Sequence, residues 1–124
     1  MTAGDRLTGV RVLLVEDEPI IAMTAEDMLD ALGCAVVASA ATLEEALAAS
    51  DGGGFDVAML DINLNGVDSL PVADMLKQAG TPFIFTTGYG AGGCGPHADV
   101  PLVTKPYRLV DLQEALGRAM AGSA

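Results

Sequence analysis

Two rhythms of apolar and polar positions alternate along this chain. Short apolar runs at residues 10–15, 34–39, 55–60, 82–86 and 100–103 have the length of strands buried on both faces. Between them apolar residues recur at helical spacing. Ile21, Ala25, Met28 and Leu32 share one face, with Glu26, Asp27 and Asp30 opposite. Pro19 suits the first turn of that helix and Gly33 its left-handed cap. Thr42, Leu43, Glu44 and Glu45 form a capping box in which Thr42 is the N-cap and Glu45 reaches back; the helix it opens stops at Gly52, Gly53 and Gly54. Asp68 caps a third helix with Pro71 in its first turn, and Gly80 closes it. Leu109, Leu112, Leu116 and Met120 mark a last amphipathic helix. Residues 1–9 read as a loose polar tail, and Asn63, Asn65 and Gly66 as a loop. Residues 88–97 hold five glycines and Pro96. An interior glycine costs a helix about 1 kcal/mol relative to alanine, so a weak fourth helix or a mobile loop is expected there. Pro101 confines the fifth strand to a sheet edge.

Strands alternating with helices five times predict an α/β fold: a doubly wound, five-stranded parallel sheet covered on both faces. The 124 residues suit one domain with its core at about 10–120, and show no internal repeat or linker. Apolar residues make up 51% but aromatics only 4%, so the core is built from Val, Leu, Ile, Met and Ala. Seventeen acids against six bases leave a formal charge of −11, which lacks the basic footprint of a nucleic-acid reader. No run approaches the roughly 18 apolar residues of a membrane span, and the first apolar run is too short for a signal peptide. The expectation is a soluble cytoplasmic protein with no nucleic-acid or membrane partner. Cys34 reads as a small core residue and Cys94 as an incidental loop thiol.

Polar residues stand where the apolar runs end: Glu16 and Asp17 after the first, Asp61 after the third, Thr87 after the fourth and Lys105 after the fifth. In a sheet of order 2-1-3-4-5 the first and third strands are neighbours, and the crevice at their carboxyl ends is the switch point where ligands bind. Carboxylates about 4 Å apart repel by roughly 4 kcal/mol at an effective dielectric of 20. A hard cation such as Mg²⁺ relieves this with oxygen ligands, and Lys105 adds a second positive charge. Together they make a receptor for a phosphoryl group, with Thr87 donating to a phosphoryl oxygen and Asp61 as the nucleophile that becomes an acyl phosphate. Thr87 is preferred to Thr86 because Gly88 follows it and strand alternation sends the two side chains to opposite faces. His97 reads as a solvated loop residue, and Tyr89 and Tyr107 as packing or surface residues, with a readout role considered for Tyr89.

Val-Glu-Asp-Glu-Pro at 15–19, Leu-Asp-Ile-Asn-Leu at 60–64, Thr-Gly at 87–88 and Lys-Pro at 105–106 together resemble the response regulator receiver domain of two-component phosphorelays, over about residues 10–120. The resemblance implies a flavodoxin-like receiver fold and a phosphoprotein whose Asp61 accepts phosphate from a histidine kinase or phosphotransfer protein. It implies that Asp17 and Asp61 bind Mg²⁺ directly, Glu16 through water and Asn63 through its backbone carbonyl, while Thr87 and Lys105 contact the phosphoryl group. The Lys105–Pro106 peptide is often cis in this family. Leu102 stands three residues before the lysine, where the family often has an aromatic switch, so a threonine–aromatic coupling does not carry over directly. Pro-Phe-Ile-Phe-Thr-Thr-Gly-Tyr-Gly at 82–90 resembles the FAT GUY subgroup of bacterial single-domain regulators, with Thr86 in place of its alanine, and residues 88–97 fit that subgroup's atypical fourth helix.

The functional expectation is a stand-alone, monomeric receiver without an output domain. It would signal through an unidentified protein target or act as a phosphate sink, and would be no enzyme beyond self-catalysed phosphotransfer and dephosphorylation. Residues 88–97 would lose mobility on phosphorylation. Two other classes remain open. A phosphatase of the haloacid dehalogenase type shares the aspartate, Mg²⁺, threonine and lysine, but wants an acid where Asn63 stands. A receiver-like binding module would not be phosphorylated at all.

Overall fold

The computed structural model describes residues 7–88, 97 and 99–122. Its elements run β1 (Arg11–Val15), α1 (Pro19–Ala31), β2 (Ala35–Ala40), α2 (Leu43–Gly52), β3 (Val57–Asp61), α3 (Leu70–Gln78), β4 (Phe83–Thr87), β5 (Leu102–Thr104) and α4 (Leu109–Gly122). The five strands pair in the order β2-β1-β3-β4-β5, all parallel. This is the expected doubly wound order, with β5 at an edge.

Strand alternation divides the apolar side chains between two layers. Val12 and Leu14 of β1, Val57 and Met59 of β3, and Ile84 of β4 face a layer holding Ala25 and Leu29 of α1 and Leu112 and Leu116 of α4. Leu13 and Val15, Ala58 and Leu60, and Phe83 and Phe85 face the other side, against Ala46 of α2 and Val72, Ala73 and Leu76 of α3. Every residue of β3 and of β4 is buried, which is why both read as unbroken apolar runs.

Local chemistry sets the helix ends. Pro19 opens α1, and Gly33 follows its C-cap Leu32 at φ +86°. At α2 the Thr42 hydroxyl accepts from the Glu45 N–H (3.1 Å), while the Glu45 carboxylate accepts from the Ala41 N–H (2.8 Å). The N-cap of α3 is Ser69 rather than the expected Asp68, although Asp68 Oδ1 does accept from the Leu70 N–H (2.8 Å). The expected loop after β3 is a small antiparallel hairpin, Asn63–Leu64 against Val67–Asp68. Asn65 (φ +55°) and Gly66 (φ +86°) make its turn, the left-handed pair that a two-residue hairpin needs.

Three further expectations are corrected. Residues 7–9 are not part of a loose tail. Leu7 is 1% exposed within the α1 layer, its carbonyl accepts from the Val10 N–H (3.1 Å), and the Gly9 N–H donates to the Gly33 carbonyl (2.8 Å). Leu109 lies on the expected stripe of α4 yet is 43% exposed. Helical spacing fixes the direction of a side chain, not whether another layer reaches that turn. His97 is not solvated: it is 2% exposed, edge-on to Phe83 and Phe85 (ring centroids 5.8 and 6.2 Å), with Nε2 2.7 Å from Asp74 Oδ1. Its apolar walls and its carboxylate partner come from β4 and α3, which glycine-rich sequence neighbours could not reveal. Cys34 is buried as expected, with Sγ 3.5 Å from the Leu7 carbonyl. Tyr89, Cys94 and nearly all of the weak helix expected at 88–97 lie outside the described residues.

The positive-φ glycines give a graded test. Gly80 has φ +73° and open space around an added Cβ, so Gly80→Ala is expected to lose only the backbone term, about 1 kcal/mol. At Gly33 the added Cβ would also come within 3.1 Å of Thr8 Oγ1 and 3.2 Å of Thr8 Cα. Gly33→Ala is therefore expected to cost about 2 kcal/mol, seen as the larger drop in the urea midpoint.

Candidate functional site

Parallel pairing puts the carboxyl ends of all five strands on one side, and the register decides which exits are neighbours. Val15 pairs with Leu60, so Glu16 and Asp61 leave β1 and β3 side by side. Asp61 pairs with Thr86, and Thr87 with Thr104. The Lys105 N–H then donates to the Thr87 carbonyl (2.8 Å), which pins the start of the exit from β5. The Lys105–Pro106 peptide is cis.

Asp61 is 4% exposed and held from three directions. Its Oδ2 accepts from Lys105 Nζ (2.7 Å), its Oδ1 from the Asn63 N–H (3.1 Å), and its carbonyl from Ser69 Oγ (2.6 Å). The same ammonium lies 2.8 Å from Glu16 Oε1. Glu16 is buried as well; Oε1 also accepts from the Tyr107 hydroxyl (3.2 Å), and Oε2 from the Glu18 N–H (3.1 Å).

Burial, and then the like charge of Glu16, push the Asp61 carboxyl up to about 6, against the pull of Lys105 and the Asn63 N–H. Burial alone would lower Lys105. Its hydrogen bonds to Asp61 and Glu16 outweigh that and hold the ammonium above its usual range. Burial also raises Tyr107, so its phenol is a neutral donor.

A pocket of about 770 Å³ opens over this group, and Asp17, Asp61, Asn63, Thr87 and Lys105 are on its wall. These are five of the six residues singled out from the strand exits and their motifs. The sixth, Glu16, lies beneath and meets the pocket through Lys105. Carboxylate oxygens of Glu16, Asp17 and Asp61 lie within 4.8 Å of one another. Three carboxylates against one ammonium leave net negative charge, and the donors are all oxygen. That set fits a hard divalent cation held from the pocket side by Asp17 and Asp61. Glu16, with both oxygens already engaged by protein donors, fits contact through water better than direct ligation.

Strand alternation separates the two threonines as expected: Thr87 is on the pocket wall, while Thr86 is 1% exposed and is not part of that wall. Sequence reasoning missed the parts played by Tyr107 and Ser69. Tyr107 stands two residues past Lys105, a local signal that was present but did not specify a partner 91 residues away. Among the described residues no helix is long and apolar enough to cross a membrane.

Comparison with known proteins agrees with this geometry. A family model described as the response regulator receiver domain matches residues 12–116. Among curated proteins, the chain is similar to the transcriptional regulatory protein TcrA of Mycobacterium tuberculosis, 36% identical over 117 residues that cover 89% of this chain and 46% of TcrA. It thus spans about half the length of the curated relatives it matches. Among solved structures it is similar to SdrG from Sphingomonas melonis Fr1, with 36% identity, a TM-score of 0.77, and 99% of this chain and 98% of that one covered. It is also similar to the PhyR receiver domain of Erythrobacter litoralis, with 30% identity, a TM-score of 0.79, and 94% and 93% covered. The family match takes in every strand exit that lines the pocket, and on that ground the chain belongs to the response regulator receiver domain family.

Proposed function

We propose that this chain is a phosphoacceptor receiver that takes a phosphoryl group onto Asp61 from a histidine kinase or phosphotransfer protein in the cytoplasm, in a Mg²⁺-dependent reaction. It then binds a downstream protein as a monomer, or drains phosphate from a shared kinase. One observation carries the reading: a buried carboxylate at a strand exit, facing an open pocket, with an ammonium 2.7 Å from its Oδ2.

Asp17, Asp61 and the Asn63 backbone carbonyl would hold Mg²⁺, with Glu16 acting through water, and the ion would supply charge neutralisation for the phosphoryl oxygens. The protein groups do the positioning. A carboxylate oxygen of Asp61 forms the new bond to phosphorus as the bond from phosphorus to the donor imidazole nitrogen breaks, and the electron pair leaves with the imidazole. Lys105 is already at Asp61 and reaches a phosphoryl oxygen by a short shift. Thr87, on the same wall of the pocket, donates to another. The protein turns over no substrate of its own beyond this transfer and the later hydrolysis of the acyl phosphate. A dehalogenase-type phosphatase would need a proton donor at position 63. There Asn63 carries an amide whose Oδ1 accepts from the Gly66 N–H (2.7 Å) and holds no acidic proton.

Incubation with acetyl phosphate and Mg²⁺ is expected to add one phosphoryl group by intact mass, and Asp61→Asn to add none. Wild-type protein that stays unmodified by acetyl phosphate and by a panel of kinases would leave a binding module as the better reading.

Raising the Asp61 carboxyl to about 6 makes its ionisation unfavourable in the folded state. The proton-bound form favours folding, so this contribution is fully present below the ordinary carboxylate range and is lost as pH rises through about 6. In metal-free buffer at pH 7, Asp61→Asn is expected to melt higher than wild type. Allowing for solvent screening the gain is about 1 kcal/mol, roughly 3–5 °C for a domain of this size. The gap should close toward pH 4. Added Mg²⁺ should narrow it at pH 7 by stabilising the wild type. A calorimetric scan in chelator that shows no gap at pH 7 would count against buried charge at this site.

A further inference from the structure

We propose that Tyr107 is a positioning residue for the phosphoryl transfer: its phenol keeps the inner oxygen of Glu16 satisfied, so that Lys105 can leave Glu16 for the phosphoryl group on Asp61. The proposal rests on the phosphoacceptor reading above and goes beyond it to a residue outside the strand-exit set.

Lys105 Nζ is shared between Glu16 Oε1 at 2.8 Å and Asp61 Oδ2 at 2.7 Å. A phosphoryl group on Asp61 extends into the pocket, so an ammonium that follows it moves away from Glu16. Glu16 is 4% exposed, so apart from the metal-bound water assigned to it above, solvent is poorly placed to replace the donor lost at Oε1. A buried carboxylate oxygen without a donor is strongly disfavoured. Such a Glu16 would hold Lys105 back.

The phenol removes that restraint. Its hydroxyl already donates to Oε1 (3.2 Å), while the Glu18 N–H serves Oε2 (3.1 Å). Direction follows from the chemistry of the pair: a carboxylate oxygen only accepts, and the phenol has one proton to give. The phenol thus reaches Glu16 by a route that does not run through Lys105. Tyr107 is also on the pocket wall, close to the group whose movement it permits.

Tyr107→Phe keeps the ring and removes only the hydroxyl. With acetyl phosphate as donor, its maximal phosphorylation rate is expected to fall about five- to tenfold. The Mg²⁺ concentration at half-maximal rate, and the Mg²⁺-dependent thermal shift, are expected to stay the same or move to lower concentration, because Glu16 loses a donor and becomes the stronger acceptor. Beryllofluoride, a phosphoryl mimic, should bind several-fold more weakly in saturating Mg²⁺. In a Glu16→Gln background Tyr107→Phe should cause no further loss. An unchanged rate in Tyr107→Phe, a full loss that persists in the Glu16→Gln background, or a rate loss accompanied by weaker Mg²⁺ binding would each overturn the proposal. A wild-type chain that takes up no phosphoryl group from acetyl phosphate or from kinases defeats the phosphoacceptor reading and this inference with it. Normal wild-type uptake with an indifferent Tyr107→Phe defeats this inference alone.

Discussion

One ammonium shared by two buried carboxylates organises the functional end of this molecule. Lys105 enters from the exit of β5, Glu16 from β1 and Asp61 from β3, so the contact closes only if β1, β3, β4 and β5 lie parallel and in register. A slip of one residue in any of these strands would turn its last side chain to the opposite layer. The apolar alternation that fills the two layers is therefore the same pattern that aims the polar exits. Packing supplies most of the stability, and the site inherits its precision from it.

The site itself is electrostatically expensive. Taking carboxylates out of water costs several kcal/mol per ion, and an ion pair recovers this only with good geometry and further hydrogen bonds. Here those extra bonds are present: the Asn63 N–H to Asp61, and the Glu18 N–H and Tyr107 hydroxyl to Glu16. Even so the Asp61 carboxyl sits at about 6, a sign that burial and Glu16 together outweigh Lys105. Net negative charge facing an open pocket is the condition in which an added cation and a phosphoryl group find complementary partners. Binding sites that keep unfavourable charge in this way trade stability for function.

The hairpin after β3 and the start of α3 act as a brace. Asn65 and Gly66 turn the chain back so that Ser69 can donate to the Asp61 carbonyl, while the backbone at Asn63 donates to its carboxylate. Asp61 is thus fixed at both its main-chain and side-chain ends by residues within eight positions of it. Glu16 and Lys105 approach from far along the chain, and the Tyr107 hydroxyl adds a donor to Glu16.

How much of this was legible in the sequence follows from how local each cause is. Five apolar runs, Pro19, the Thr42 and Glu45 cap, and the glycines at 33, 53 and 80 each act within a turn or a strand, and they led to the observed sheet order and helix ends. Polar residues directly after apolar runs had to share the carboxyl edge of a parallel sheet, so the residues that now line one pocket could be named without coordinates. The side-chain partnerships that complete the site depend on layers meeting across long stretches of chain. Tyr107 packs in the core, within the packing-or-surface reading, but its bond to Glu16 was not foreseen; His97 with Asp74 and the burial of Leu7 were misread, since each lies in a polar or glycine-rich neighbourhood whose partners are remote. The sequence by itself determined which elements form and which ends they turn to the site, because those are short-range consequences of periodicity and capping. Only the tertiary structure decided which hydroxyl faces which carboxylate, because that depends on the register and packing distance between strands brought together by folding.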